Sequence, residues 1–317
     1  MPATSPPTGA HDRVGRAEAS VVQAAALLGI GSHGDLRVVR VGTSVLVVAD
    51  AVGVMFRVDD QVPAERVRRQ VTVASVLERS GLPAIRLAGD HHQPVVFDDP
   101  VVTVSAWHLE ELTGAVVSPA ELGGMARQLH DVAIVAGGQV GVPPFEPFVA
   151  IIEQLAMAAA TGVTSPDDLE LLATVTGRLA AAWPAAAADA ATTPGIGMGV
   201  VHGDLHAGNV LATRRGPVLA DLELAGIGPV AYDLVAAVVA VERYGAPTST
   251  IADYVAGYGQ AIPAVARSGV LRDTYELWLT AWAVANAHVD AIHAAEARAR
   301  LARWHDPSGA APPWTLL

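Results

Sequence analysis

Residues 200–233, VVHGDLHAGNVLATRRGPVLADLELAGIGPVAYD, decide the reading of this 317-residue chain. The stretch opens on a short apolar strand over 199–201 and breaks at His202-Gly203-Asp204, with Asn209 following in the same loop. Two apolar runs come next, 210–213 and 217–220, and Arg214-Arg215-Gly216 between them predicts a β-hairpin. A hairpin brings its ends together, so Asn209 and Asp221 are expected side by side. They offer an amide oxygen and a carboxylate, the hard donors that Mg²⁺ prefers.

The order His202, Asp204, Asn209 has the H-x-D-x-x-x-x-N spacing of a kinase catalytic loop. Moving a phosphoryl group to a hydroxyl asks a protein mainly to position two reactants and to neutralise charge on the phosphate oxygens. On that chemistry Asp204 accepts the proton of the acceptor hydroxyl. Asn209 and Asp221 hold Mg²⁺ against the nucleotide phosphates. Asp233 begins an apolar helix and is expected to orient the loop from behind, with His202 beside it.

At these residues the chain resembles the aminoglycoside phosphotransferase family, whose loop commonly reads HGDLHxxN. The family's metal aspartate sits in a D-x-E-x-A-G context, here Asp221-Leu222-Glu223-Leu224-Ala225-Gly226. The resemblance implies an α+β, bilobal, protein-kinase-like fold. Its small N-terminal lobe is an antiparallel sheet with one helix, and its large C-terminal lobe is mostly helical and carries the catalytic hairpin. It also implies ATP or GTP as donor, Mg²⁺, and a small-molecule hydroxyl as acceptor. The acceptor expected here is an antibiotic, aminoglycoside-like or otherwise amine-bearing, or an amino sugar. Choline, homoserine and sugar kinases share the family, so membership alone does not fix it.

The phosphate grip is sought in the N-terminal part, where 36–41, 45–49 and 53–58 read as three strands of an antiparallel meander. All 20 basic residues are arginine, so a phosphate-gripping cation must be Arg or His. Arg57 ends the third strand, where a kinase-like small lobe places that cation. On the next helix, 64–80, relatives commonly carry an acid to pair with it, but this chain has Gln70. A neutral amide accepts a hydrogen bond without the ion-pair contribution, so Gln70 pairs weakly or Glu65 or Glu78 substitutes. The loop Gly42-Thr43-Ser44 is expected to cover the phosphates with backbone N–H groups, and His206 joins the nucleotide-binding set. A G-x-G-x-x-G match at 29–34 follows a helix and precedes a strand, the reverse of a dinucleotide fingerprint, and reads as a helix stop.

A strand over 101–105 runs into Trp107-His108-Leu109 and a polar stretch to Gly114. By resemblance this is a hinge whose backbone holds the adenine. The expected organisation is a disordered tail over 1–16, a nucleotide-binding lobe over 17–106, a hinge over 107–114 and a helical lobe over 115–317. Ser118-Pro119-Ala120-Glu121 is a capping box with proline at the first helical position. Ser165-Pro166 opens another helix, expected to reach Trp183, and 184–195 reads as a loop. Four helices are expected after Asp233, at about 231–243, 248–261, 271–290 and 291–304, before a proline-rich end.

Composition narrows the remaining classes. No run of about 18 apolar residues occurs, and the first residues lack a charged-then-apolar leader, so a cytoplasmic protein without a membrane partner is expected. The absence of cysteine excludes disulfides and thiolate metal sites. A formal charge of −12 argues against nucleic acid as a partner and tilts weakly toward amine-bearing ligands. No protein partner is expected. Two other readings stay open: a nucleotide-binding pseudoenzyme acting as an interaction module, suggested by Gln70 and the thin phosphate loop, and a metallohydrolase built on His202, Asp204 and His206.

Overall fold

The structure is a computed structural model describing residues 8–89, 92–98, 101–132, 141–307 and 312–315. Residues 1–7 of the expected tail and most of the proline-rich end lie outside the described residues. The chain divides into two compact units, one made of 1–115 with 211–223, the other of 116–210 with 224–317.

The first unit is built on an antiparallel sheet of β1 (Leu36–Val41), β2 (Ser44–Ala49), β3 (Val54–Asp59), β4 (Val95–Asp98) and β5 (Val101–His108). The order is β1-β2-β3-β5-β4. Alternation within β3 buries Val54, Phe56 and Val58 on one face and turns Met55 and Arg57 to the other. Helix α1 (Thr8–Leu27) lays Ala17, Val21 and Ala24 on the first of these faces, with Leu28 just past its end, joining Phe56 and Val104 in one core. One expectation changes here. The helix begins at Thr8 and occupies much of the stretch expected as a disordered tail, while α2 (Ala64–Arg79) forms where a helix was expected. The stripe at spacings of three and four that buries α1 supplies the tertiary packing a helix needs.

The hairpin of β7 (Val210–Thr213) and β8 (Gly216–Leu219) forms where the sequence placed it. Residues 211–223 pack with the first unit, although the hairpin was expected as part of the C-terminal lobe. The backbone says why: Ile85 N–H donates to the Leu219 carbonyl (2.8 Å) and Leu219 N–H to the Pro83 carbonyl (2.9 Å). Thr113 N–H donates to the Ala212 carbonyl (2.9 Å), and Arg215 bonds both the Glu110 carboxylate and the Ala84 carbonyl.

The second unit is helical around one small sheet. Its elements are α3 (Pro119–His130), α4 (Pro147–Thr161), α5 (Pro166–Ala191), β6 (Met198–Val201), β9 (Gly226–Pro229), α6 (Ala231–Glu242), α7 (Ser249–Tyr258), α8 (Ala264–Arg267), α9 (Val270–Asn286) and α10 (Ala291–His305). The Ser118 box closes in both directions, with Ser118 Oγ accepting from Glu121 N–H and the Glu121 carboxylate accepting from Ser118 N–H. Helix α3 lies so close to α7 that a Cβ at Gly123 would collide with the Tyr254 carbonyl. The loop expected over 184–195 is largely helix, because α5 runs through Pro184 to Ala191. The alanines after Pro184 are strong helix formers, and their propensity carries the helix past one missing N–H. Strand β9, absent from the expectations, pairs antiparallel with β6 from Val201↔Gly226 to Met198↔Pro229.

Candidate active site

In the second unit, β6 delivers the chain into the His202–Asn209 loop, and the first residues of α6 hold that loop from behind. Asp233, fully buried on α6, accepts the His202 N–H at Oδ2 (2.7 Å) and the Gly203 N–H at Oδ1 (2.9 Å). His130 Nε2 stands 3.1 Å from Asp233 Oδ2, and His130 Nδ1 lies 3.0 Å from the Tyr258 hydroxyl. A buried polar group needs such hydrogen-bond partners. Gly203 has φ 85°, and a Cβ there would stand 2.7 Å from Phe145 Cε2 and 2.9 Å from Leu224 Cβ. Only glycine makes this turn, which is the local reason that the loop reads His-Gly-Asp.

The turn presents Asp204. Its N–H donates to Nδ1 of the fully buried His202 (3.3 Å), and its Oδ1 accepts the Tyr275 hydroxyl of α9 (3.2 Å). Burial first, then the negative charge of Asp204, push the Tyr275 phenol well above its ordinary pKa, so the hydroxyl remains a donor. Asn209 closes the loop, its Nδ2 donating to the Asp204 carbonyl (2.9 Å), which leaves its amide oxygen as the acceptor end. His206 Nδ1 accepts from Gly208 N–H (3.0 Å), and its Nε2 lies 3.8 Å from Asp204 Oδ2.

The histidines are therefore arranged as loop supports. His202 Nδ1 accepts a backbone N–H, and among the described residues no group of three or more His, Asp or Glu side chains is placed to hold a metal. The metallohydrolase reading finds no ligand cluster.

In the first unit, Asp221 follows the hairpin with φ 55°, the one non-glycine residue with positive φ among those described. Aspartate tolerates that left-handed conformation, which costs about 1 kcal/mol or more. Leu219 and Leu222 on either side are fully buried, which fixes the backbone while the Asp221 side chain stays exposed. A carboxylate and an amide oxygen are each the kind of hard oxygen donor that Mg²⁺ takes.

Arg57 answers the question left by Gln70. Its Nη1 donates to Gln70 Oε1 at 3.3 Å, a long bond, and its Nε donates to Asp59 Oδ1 (3.0 Å) and Ser44 Oγ (3.1 Å). Its Nη2 pairs with Glu223. The carboxylate sought at Glu65 or Glu78 is supplied instead by Glu223, two residues beyond Asp221. Glu65 pairs with Arg68 (3.3 Å) on the outside of α2. Arg66 Nη1 also lies 3.8 Å from Glu223. Burial opposes the Arg57 charge, but Glu223 and then Asp59 outweigh it and raise the guanidinium pKa. Burial pushes the Glu223 and Asp59 carboxyls up, with Arg57 pulling each back. Ser44 is turned inward and donates to Asp59, so its side chain is a strut of this cluster.

Trp107 is buried, with its indole N–H donating to Ser105 Oγ (2.9 Å), and is a packing residue. His108 N–H donates to the Arg86 carbonyl and Leu109 N–H to the Gly53 carbonyl, so these two donors are engaged by neighbouring backbone. Local sequence signals did not point to Asp59 or Tyr275. Glu223 carried a hint as the third residue of the D-x-E motif, and His130 as part of the Leu129-His130 pair that also echoes the family.

A sequence model of the phosphotransferase enzyme family, APH, matches residues 29–269. The chain belongs to that family and is a small-molecule kinase. A comparison with curated proteins gave no match. Among solved structures, a microcompartment-associated aminopropanol kinase is 19% identical with a TM-score of 0.62, over 92% of this chain and 99% of that one. A choline/ethanolamine kinase family protein from Mesorhizobium loti is 19% identical with a TM-score of 0.56, over 91% and 93%. An aminoglycoside phosphotransferase from Streptomyces rimosus, in complex with ADP and streptomycin, is 16% identical with a TM-score of 0.56, over 81% and 97%. The fold is protein-kinase-like.

Proposed function

We propose that this protein transfers the terminal phosphoryl group of a nucleoside triphosphate, with Mg²⁺, to a hydroxyl of an amine-bearing small molecule, an antibiotic or an amino sugar. The observation that carries the reading is the preparation of Asp204. Its loop hangs from the buried Asp233 carboxylate, and its own oxygen is oriented by Tyr275. A carboxylate held this way is suited to accept a hydroxyl proton as the oxygen attacks phosphorus. Asn209 and Asp221 are the proposed metal ligands. When bound, Mg²⁺ supplies charge neutralisation at the phosphate oxygens. Arg57, kept cationic by Asp59 and Glu223, holds the same polyphosphate from the protein side.

ATP is the proposed donor, with GTP as the competitor in the assay. The amine on the acceptor is supported by the formal charge of −12 and by the names of similar structures, an aminopropanol kinase, a choline/ethanolamine kinase family protein and a streptomycin-bound phosphotransferase. No helix among the described residues is long and apolar enough to cross a membrane.

The test is Mg²⁺-dependent ADP or GDP release across aminoglycosides, amino sugars, amino alcohols and neutral sugars. Stimulation by one amine-bearing class is the expected result. Stimulation by neutral sugars alone would remove the amine from the account.

A further inference from the structure

The sequence offered the Gly42-Thr43-Ser44 loop as a phosphate cover without saying what would hold so short and glycine-containing a turn in place. The structure supplies the holder from outside the family-matched residues 29–269. Arg13 lies on α1 one turn before Ala17, on the face that continues as Val21, Ala24 and Leu28 into the core. A side chain at that position is carried down onto the sheet at the β1–β2 end. There Arg13 Nη1 donates to the Gly42 carbonyl, Nη2 to the Thr43 carbonyl (2.8 Å), and Nε to Asp60 Oδ2 (2.7 Å) just past β3. The guanidinium is largely enclosed, its side chain 14% exposed. One planar fork thus ties the loop to the end of β3, and the next residue of the loop, Ser44, bonds to Asp59 and receives Arg57 Nε.

A trans peptide points its C=O and N–H in opposite directions. Fixing the carbonyls of Gly42 and Thr43 toward Arg13 therefore turns the N–H groups of Thr43 and Ser44 away from α1. Resting on the nucleotide reading above, we propose that Arg13 is a positioning residue for the donor: it sets the β1–β2 loop so that the backbone N–H groups and Arg57 meet the polyphosphate in one fixed arrangement. Arginine suits the task because its donors are rigidly forked, whereas a lysine ammonium cannot span two carbonyls and a carboxylate in one plane. The helix that carries Arg13 is thereby a working part of the donor site.

The experiment uses the full chain and compares wild type with Arg13→Gln, Arg13→Lys and Asp60→Asn, measuring the Mg-ATP dissociation constant, KM for ATP, KM for the acceptor, kcat and Tm. Arg13→Gln should raise the ATP constants about five- to tenfold, the upper end being about 1.4 kcal/mol, with kcat and the acceptor KM near wild type. Arg13→Lys and Asp60→Asn should move the same constants in the same direction by less. Arg16→Gln, which removes an exposed pair with Asp12 on the same helix, should move none of them. A Tm loss in Arg13→Gln with ATP constants equal to wild type would overturn the proposal, leaving Arg13 a structural residue. If Arg13→Gln fails to fold, unchanged ATP constants in both other variants overturn it equally. A wild-type protein that binds no Mg-nucleotide would instead overturn the donor reading itself.

Discussion

Tyr275 touches the carboxylate proposed to accept the proton, and its hydroxyl is the only part of the side chain that phenylalanine would remove. Tyr275→Phe should lower kcat about tenfold, because a hydrogen bond to a charged group contributes about 1.5 kcal/mol, while Tm and the Mg-ATP dissociation constant stay near wild type. Steady-state kinetics beside thermal melts check this. The contact also marks the limit of what the chain's letters reveal. His202, Asp204, Asn209 and Asp233 were legible because loop chemistry of this kind depends on spacing within about one turn and one hairpin. Tyr275 lies 71 residues from Asp204, on a helix whose pattern speaks only of burial. Glu223 was visible as a letter of a motif, but its pairing with Arg57 across 166 positions of sequence follows from the hairpin joining the first unit, which no local signal announces.

The loop between β6 and β7 works because two elements agree on it: α6 supplies Asp233, and Gly203 supplies a turn that no side chain can make. Gly203→Ala combines a positive φ with a Cβ 2.7 Å from Phe145. The strain, about 1–3 kcal/mol, should appear as a lower Tm and as transfer activity reduced far beyond what the remaining folded fraction explains. Activity per folded molecule equal to wild type would mean that the loop tolerates another path. Element boundaries show the same division between local and tertiary causes. The meander β1–β3, the Ser118 cap of α3 and the hairpin β7–β8 were legible from alternation, capping chemistry and turn residues. Helix α5 was cut short at Pro184 because a proline ordinarily ends a helix, yet the alanines beyond it carried the helix on. Helix α1 reaches back to Thr8, into the stretch expected as a tail, because its first turns are polar and their docking by Arg13 is a tertiary event.

For the molecule as a whole, the buried charges of the second unit set the acid limit of its stability. Glu276 on α9 is fully buried and is bonded by Arg243 after α6, Arg272 on α9 and Arg303 on α10. Burial pushes its carboxyl up, but Arg243 and Arg272 outweigh that and hold it below the ordinary value of 4.5. A depressed folded pKa contributes stability that is present above the unfolded value and is lost as pH falls through the folded one. The stability lost in Glu276→Gln, about 3 kcal/mol by analogy with breaking a buried pair, should thus be full at pH 7 and shrink below about pH 4.5. Denaturant unfolding of both proteins across that range measures it, and a difference independent of pH would contradict it. The central claim, that Asp204 is the proton acceptor of a phosphoryl transfer, is tested most directly by Mg²⁺-dependent transfer to the stimulating acceptor in wild type and Asp204→Asn, with nucleotide binding measured in both. The account predicts unchanged nucleotide affinity and a loss of kcat of about 10²-fold or more. Turnover equal to wild type in Asp204→Asn would contradict it.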